Sequence, residues 1–160
     1  FGQGITVTPI QMAAAFSAIA NGGTLYKPYI VKEIQHYDGK KEQFEPQAIR
    51  NVISPQASSM LAGMLVSVVK NGHGNKAGVD GYLVAGKTGT AQVAGEGGKY
   101  SDKTIHSFVG FAPVDDPVFV MLVKLDAPTA VLFSSDSATP LFGEIADFIL
   151  KYYHIPPTEL

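Results

Sequence analysis

The chain has 160 residues, 46% of them hydrophobic, which is enough for the core of one domain or of one lobe of a larger domain. Its 12 basic and 14 acidic side chains give a net charge of −2 at pH 7, which argues against a basic surface for nucleic acid or a polybasic membrane patch. The absence of cysteine excludes disulfides and thiolate chemistry.

The sequence shows no targeting segment and no boundary between two domains. No apolar run approaches the roughly 18 residues of a membrane span. Phe1 opens the chain without a methionine or a signal-peptide pattern, so we expect it to begin within a longer protein. No repeat or linker separates two parts, and residues 1–160 are therefore predicted to form a portion of a single domain.

Two helices are predicted in the first half of the chain. Residues 8–11 (TPIQ) combine a capping box with a proline at the first helical position, and residues 21–23 (NGG) form a stop signal. Residues 54–55 (SP) start a second helix, which ends at residues 71–72 (NG). Its apolar side chains recur at helical spacing and predict the face that packs on a sheet: Met60, Leu61, Met64, Leu65 and Val68.

Two hairpins are predicted. Residues 29–37 and 41–44 flank Asp38-Gly39, which is a strong turn signal, and we expect this hairpin to be peripheral. Residues 105–113 and 118–125 are apolar on both faces, which is typical of buried strands. They are predicted to form an antiparallel pair at the centre of the sheet.

The glycine-rich residues 89–98 predict a loop, and the end of the chain predicts a third helix. Residues 134–139 lead into this helix, with Pro140 near its first turn. Tyr152 is interpreted as part of the buried stripe rather than as an aromatic ligand platform with Tyr153 and His154. The stripe predicted to cover one face of the sheet comprises Leu141, Phe142, Ile145, Phe148, Ile149 and Tyr152.

The chemistry of the sequence is concentrated at residues 86–91 (GKTGTA), which follow an apolar run, residues 82–85, that predicts a strand. The cation of Lys87 and the hydroxyl groups of Thr88 and Thr90 suit an anionic ligand. The glycine between the threonines lets another backbone approach closely. If the strand lies at the edge of a sheet, its unpaired N–H and C=O groups could hold an extended peptide.

The order of the motifs resembles that of a known family. The Lys-Thr-Gly triplet is the third signature of penicillin-binding proteins and serine β-lactamases. Segments on both sides resemble class B penicillin-binding proteins of the cell-division and elongation type. These segments are residues 2–4 (GQG), 7–11 (VTPIQ), 21–23 (NGG), 107–113 (SFVGFAP) and 138–142 (ATPLF).

This resemblance implies an α+β fold with an antiparallel sheet flanked by helices, namely the C-terminal portion of a transpeptidase domain. It implies that Lys87 supports the electrostatics of the site and contacts a serine of the second family motif. Thr88 and Thr90 would bind the carboxylate of a substrate or antibiotic, and Gly89 would keep the strand clear of the ligand. The backbone N–H of Thr90 would form half of an oxyanion hole.

The implied reaction is acyl transfer through a serine acyl-enzyme on peptidoglycan stem peptides, with β-lactam antibiotics acylating the same serine. The implied partners include the remainder of the transpeptidase domain and other cell-wall synthesis proteins. The implied location is the extracytoplasmic face of the bacterial cytoplasmic membrane, with an anchor outside this chain. We expect no cofactor and no nucleic-acid partner.

The family's nucleophile is not expected in this chain. Ser67 and Lys70 match S-x-x-K, but Ser67 is predicted in the last turn of a helix, where the helix dipole does not favour a developing negative charge. No S-x-N or S-D-N triplet occurs, and residues 101–103 (SDK) follow Lys-Thr-Gly instead of preceding it. The isolated chain is therefore expected to be inactive and not to be labelled by penicillin.

Two other functions compete with this interpretation. Residues 81–88 match the P-loop pattern and Asp126 follows an apolar strand, but a P-loop requires a helix directly after the lysine. A noncatalytic β-lactam sensor of the same fold remains an alternative. The four histidines are scattered without ligand spacing, so surface or hydrogen-bonded histidines are predicted and no metal site: His36, His73, His106 and His154.

Overall fold

The computed structural model describes residues 3–95, 97 and 99–159. Three α-helices and seven strands occur in this part of the chain, and two short 3-10 turns, Asn75–Ala77 and Ser134–Asp136, join them. The helices are α1 (Pro9–Ala20), α2 (Pro55–Asn71) and α3 (Ala138–Tyr152). The strands are β1 (Thr24–Tyr26), β2 (Glu33–Gln35), β3 (Lys41–Gln43), β4 (Ala48–Asn51), β5 (Ala85–Ala94), β6 (Tyr100–Ala112) and β7 (Phe119–Asp126).

Local capping signals set the starts of α1 and α2, as predicted. The Thr8 hydroxyl accepts from the backbone N–H of Gln11, and the Gln11 side chain accepts from the Thr8 N–H at 2.8 Å, which completes the capping box. Ser54 caps α2 by accepting from the N–H of Ala57 at 3.1 Å. These bonds satisfy backbone donors that a helix start leaves without partners.

The main sheet has the antiparallel order β5-β6-β7. The predicted pairing of residues 105–113 with 118–125 is confirmed, because residues 105–112 of β6 pair with residues 119–126 of β7. Of these two strands only β6 is central in the described sheet. β5 lies at one edge, so the condition for an open strand edge is met.

Two predictions about β5 are wrong. The strand begins at Ala85 and not at Tyr82, because Tyr82 bridges to Val79 and its hydroxyl donates to the carbonyl of Ile155 at 2.6 Å. The strand also continues to Ala94, through residues predicted to be a loop. Long-range pairing with β6, which reaches from Ala85 to Ala94, supplies backbone hydrogen bonds that outweigh the weak strand preference of glycine.

The core lies between the sheet and α3. The rings of Phe108 on β6 and Phe142 on α3 are 4.7 Å apart and tilted at 56°, a favourable aromatic arrangement. Val69 of α2 and Leu150 of α3 belong to the same buried cluster. The mixture of helices with an antiparallel sheet confirms the predicted α+β class.

The buried faces of two helices differ from the predicted stripes. On α2, Met60, Leu61 and Met64 are exposed, whereas Ser58 and Val69 are buried. The side of α2 that carries Ser58 contacts α1, where the Ser58 hydroxyl donates to the carbonyl of Ile19. Hydrophobic spacing alone does not reveal this partner.

On α3, small residues form much of the buried face. Phe142 is buried as predicted, but Leu141 and Phe148 are exposed and Tyr152 is 65% exposed. The interpretation of Tyr152 as core is therefore wrong. Its ring stacks on Phe148 at 5.8 Å and meets the edge of Tyr153 at 5.1 Å. The side of α3 that is buried bears Ala138, Thr139, Phe142, Gly143, Ala146 and Leu150.

The remaining strands form two small pairs. β2 and β3 make the predicted peripheral hairpin, which is exposed along its whole length and shorter than expected. β1 pairs with β4 in an antiparallel ladder that the sequence analysis did not predict. A gap of more than twenty residues separates these two strands, so no turn signal marks them as neighbours.

The close approach of β5 and β6 makes Gly110 a sensitive position. A Cβ atom at residue 110 would lie 2.5 Å from the carbonyl oxygen of Ala85 and 3.0 Å from Cζ of Phe142. We expect Gly110→Ala to lower the free energy of unfolding by about 1–3 kcal/mol, as overpacked cores do. Chemical denaturation measures this change.

Gly63 in α2 is the matched control. A Cβ there would meet nothing within 4 Å. Gly63→Ala should raise the free energy of unfolding by about 0.5–1 kcal/mol, because alanine is the better helix former. Equal effects of the two substitutions would contradict the packing argument.

Candidate active site

The predicted site residues lie together near the middle of the edge strand β5. Lys87 is exposed, while Thr88, Gly89 and Thr90 are half-buried. Thr88 is opposite Phe108 and Thr90 is opposite His106. Because side chains alternate along a strand, the two threonines lie on the α3 face, whereas Lys87 and Gly89 start from the other face.

The Lys87 side chain bends around the open edge of β5. Its Nζ donates to the carbonyl oxygen of Thr88 at 3.1 Å and to the Thr88 hydroxyl at 3.3 Å. Within residues 3–95, 97 and 99–159, Lys87 forms no ion pair with a carboxylate. A cation and a hydroxyl therefore converge at an exposed edge, and this arrangement can receive an anion.

The Thr90 hydroxyl has a partner that the sequence analysis missed. It accepts from the backbone N–H of Ser134 at 3.1 Å, and it shares a hydrogen bond with the Ser134 hydroxyl, also at 3.1 Å. Ser134 is only 2% exposed. The 3-10 turn before α3 is thus attached directly to the strand that carries the predicted site.

Gly89 has a packing role within the sheet. A Cβ atom there would lie 2.7 Å from Oγ of Ser107, the residue opposite it on β6. The Ser107 hydroxyl donates to the Gly89 carbonyl at 3.4 Å. This contact gives a reason for glycine that differs from the predicted clearance for a ligand, which stays a prediction.

An exposed ion pair contacts the 3-10 turn Ser134–Asp136, which is called the Ser134 turn below. Lys76 Nζ donates to Asp136 Oδ1 at 2.7 Å, and this hydrogen bond with its attached positive charge holds the pKa of Asp136 below its ordinary value. The turn is also tied to α3, since the Thr139 hydroxyl donates to the Ser134 carbonyl at 2.8 Å.

His106 joins the same turn to the sheet. It is fully buried, with Nδ1 2.8 Å from the Ser137 hydroxyl and Nε2 3.0 Å from the Thr104 hydroxyl. The histidines were predicted to be either exposed or hydrogen-bonded, and His106 is hydrogen-bonded and not exposed. No group of three potential metal ligands occurs among the described side chains.

Two motif matches outside the predicted site are explained by the structure. Ser67 is exposed in the last turns of α2, and Lys70 forms an ion pair with Glu159. Neither residue lies at a helix N-terminus, as expected. Lys87 and Thr88 lie within β5, which continues as a strand, so the geometry of a P-loop is excluded.

Segments far apart in sequence meet around β5. The Gln3 side chain donates to the Gln92 side chain at 3.1 Å, although 89 residues separate them. Two surface grooves, of about 600 and about 510 Å3, lie away from Lys87, one between the end of α1 and the start of α2 and the other beside the β2–β3 hairpin. Lys87 itself is exposed on the surface. No helix in the described ranges is long and apolar enough to cross a membrane.

The fold is that of the penicillin-binding class of domains that the motif suggested. The family model described as "Penicillin binding protein transpeptidase domain" matches residues 1–147, and the chain belongs to this family. The predicted resemblance to class B members is thereby confirmed, because relatives of that kind match most of the chain.

Three curated relatives illustrate the match. The chain is 47% identical to "Stage V sporulation protein D" of Bacillus subtilis, over 91% of this chain and 23% of the relative. It is 41% identical to "Penicillin-binding protein PbpB" of Mycolicibacterium smegmatis, over 97% of this chain and 26% of the relative. It is 32% identical to "Peptidoglycan D,D-transpeptidase FtsI" of Escherichia coli, over 100% of this chain and 26% of the relative. The chain thus spans about a quarter of the length of these relatives.

Solved structures agree with the fold. Penicillin-binding protein 3 of Mycobacterium tuberculosis, in complex with aztreonam, superposes with a TM-score of 0.87 at 36% identity, covering 99% of this chain and 38% of that one. A peptidoglycan synthetase of Bifidobacterium adolescentis gives a TM-score of 0.86 at 32% identity, covering 100% of this chain and 29% of that one.

The Lys76–Asp136 contact predicts a specific pH behaviour. Lys76→Met should raise the pKa of Asp136 towards the ordinary aspartate value. Because the pKa is lowered in the folded state, the stabilising effect of the pair is present at neutral pH and is lost as the pH falls through that lowered pKa. NMR titration of the Asp136 carboxyl carbon measures the shift.

Lys124→Met is the control, since Lys124 pairs with Asp126 instead. It should leave the titration of Asp136 unchanged. An equal shift in both variants would mean that overall charge, and not the direct contact, lowers the pKa.

Proposed function

We propose that this chain supplies the Lys-Thr-Gly part of the active site of a peptidoglycan D,D-transpeptidase, a penicillin-binding protein that works through a serine acyl-enzyme. One observation carries the proposal. Lys87 Nζ and the Thr88 hydroxyl converge at the open edge of β5, and Thr90 follows on the same strand. An extended peptide that ends in a carboxylate fits such an edge.

The proposed reaction proceeds in two acyl transfers. A serine from the remainder of the domain attacks the carbonyl carbon of the D-alanyl-D-alanine amide, and D-alanine leaves when the C–N bond breaks. An amine of a neighbouring stem peptide then attacks the ester and releases the serine. In each step the carbonyl oxygen becomes negative, and the Thr90 backbone N–H provides half of the oxyanion hole.

The side chains of the strand are proposed to bind the substrate carboxylate. Thr88 and Thr90 donate hydroxyl hydrogen bonds, and Lys87 supplies positive charge and contacts a serine of the second family motif. Gly89 keeps the strand clear of the ligand. The absence of an ion pair to Lys87 in the described part of the chain supports this assignment, because no internal carboxylate competes.

The proposed partners follow from the same chemistry. They are peptidoglycan stem peptides, β-lactam antibiotics, the remainder of the transpeptidase domain and other cell-wall synthesis proteins. The proposed location is the extracytoplasmic face of the bacterial cytoplasmic membrane. The relatives' names, which include D,D-transpeptidases, favour a catalyst over a β-lactam sensor. By itself the chain, as residues 1–160 of a larger domain, is proposed to be inactive.

Thr90→Val in the intact protein should slow acylation by a β-lactam about 10- to 100-fold. The substitution removes one hydrogen bond to a charged group, worth about 1.5–3 kcal/mol, and retains the backbone N–H. The second-order acylation rate measures the effect, and the melting temperature shows whether the variant is folded. A folded variant with the wild-type rate would remove Thr90 from the carboxylate site.

Lys87→Ala should cause a larger loss, of more than about a hundredfold, because it removes the cation from the site. Ser67→Ala and Lys70→Ala are the controls, since both residues lie in the last turns of α2. They should acylate at nearly the wild-type rate. If Ser67→Ala abolishes labelling while Lys87→Ala does not, the proposed site is wrong.

A further inference from the structure

The Thr90 hydroxyl makes two contacts with Ser134. A threonine hydroxyl has one proton to donate and two lone pairs that accept. One lone pair of the Thr90 oxygen accepts the Ser134 N–H at 3.1 Å, and the hydroxyl oxygens of Thr90 and Ser134 are also 3.1 Å apart, so either hydroxyl can donate to the other. A carboxylate bound at this strand can therefore receive the Thr90 proton only when Ser134 is the donor between the two hydroxyls.

Ser134 has the chemistry to be that donor. Its own hydroxyl carries a proton, which can be donated to Thr90 Oγ1 while the Thr90 proton points at the ligand. The pair then keeps its side-chain hydrogen bond, and the Ser134 N–H continues to donate. Two donors on the Thr90 oxygen polarise its O–H bond and make it a stronger donor to an anion.

The turn that carries Ser134 is held in place from three directions. Thr139 donates to the Ser134 carbonyl, Lys76 pairs with Asp136, and Ser137 contacts the buried His106. These contacts connect the turn to α3, to the 3-10 turn Asn75–Ala77 and to β6. Ser134 thus stays fixed against Thr90 while the hydroxyl protons reorient.

We propose that Ser134 is a positioning residue, which holds and polarises the Thr90 hydroxyl for a ligand carboxylate by donating both its N–H and its hydroxyl proton to the Thr90 oxygen. The inference deepens the proposed function and rests on it. Ser135, its neighbour in the turn, does not share this role, because its hydroxyl donates to Asp136 at 3.3 Å. It is therefore the matched control.

The test measures second-order acylation rates of the intact protein with two probes, a penicillin that has a free carboxylate and its methyl ester. The variants are Ser134→Ala, Ser135→Ala, Thr90→Val and the double variant Thr90→Val/Ser134→Ala. Ser134→Ala should slow acylation by the free acid about two- to tenfold, as expected for one lost hydrogen bond. It should leave acylation by the ester unchanged, and Ser135→Ala should match the wild type with both probes.

The double variant separates positioning from a general structural role. If Ser134 acts through the Thr90 hydroxyl, Ser134→Ala should have no further effect once that hydroxyl is gone. Equal slowing with acid and ester, or full additivity with Thr90→Val, would overturn the inference. So would a wild-type or faster rate of Ser134→Ala with the free acid, which would make Ser134 a bystander or a competitor of the ligand.

Failure of the inference is distinguishable from failure of the proposed function. If the free acid does not acylate the wild type, or Thr90→Val is indistinguishable from it, the carboxylate site itself is wrong and the inference falls with it. If those two measurements come out as expected and Ser134→Ala has no carboxylate-dependent effect, only the role of Ser134 is refuted.

Discussion

The antiparallel pairing of β5 with β6 is the constraint on which the rest of the structure depends. It runs from Ala85 opposite Phe111 to Ala94 opposite Tyr100. The two-residue period of the ladder then determines which side chains face α3. A shift by one residue would exchange Thr90 with its neighbours and remove it from Ser134. The contacts of the core and those of the candidate site therefore depend on one register.

Two glycines let backbone and side chains pack closely around this strand pair. A Cβ atom at Gly86 would lie 2.5 Å from the ring of Phe108, and one at Gly143 would lie 2.6 Å from the Lys76 carbonyl. The first close approach seats the Phe108 ring against β5, and the second brings α3 onto the turn Asn75–Ala77. That turn also carries Lys76, which reaches Asp136. Backbone packing and the position of the Ser134 turn are thus parts of one arrangement.

Features decided within a few residues could be predicted from the sequence. The starts of α1 and α2 depend on side chains that cap a backbone N–H three residues later, and the hairpin at Asp38-Gly39 depends on its turn. The full length of β5 depends on β6, and the buried face of α2 depends on the contact of Ser58 with α1. No local pattern contains those partners.

Part of the candidate site could likewise be predicted from the sequence, and part could not. Lys87, Thr88, Gly89 and Thr90 form a contiguous motif, so sequence could point to them together. Ser134 lies 44 residues further on, in a run of similar serines, and only the fold brings it to Thr90. A signal was present in β6, where the polar Thr104 and His106 lie on the same face as the buried Phe108, but its meaning depends on what packs there.

The open edge of β5 also affects which other chains can pair with this strand. Unpaired backbone groups on an edge strand invite any extended segment, including a strand of a second copy, and this is a route to aggregation. A lysine on the edge opposes such pairing, because a neutral strand would desolvate the ammonium group of Lys87 without neutralising it. The same side chain that attracts an anionic ligand thus acts as a gatekeeper, which keeps the strand soluble while its edge stays available.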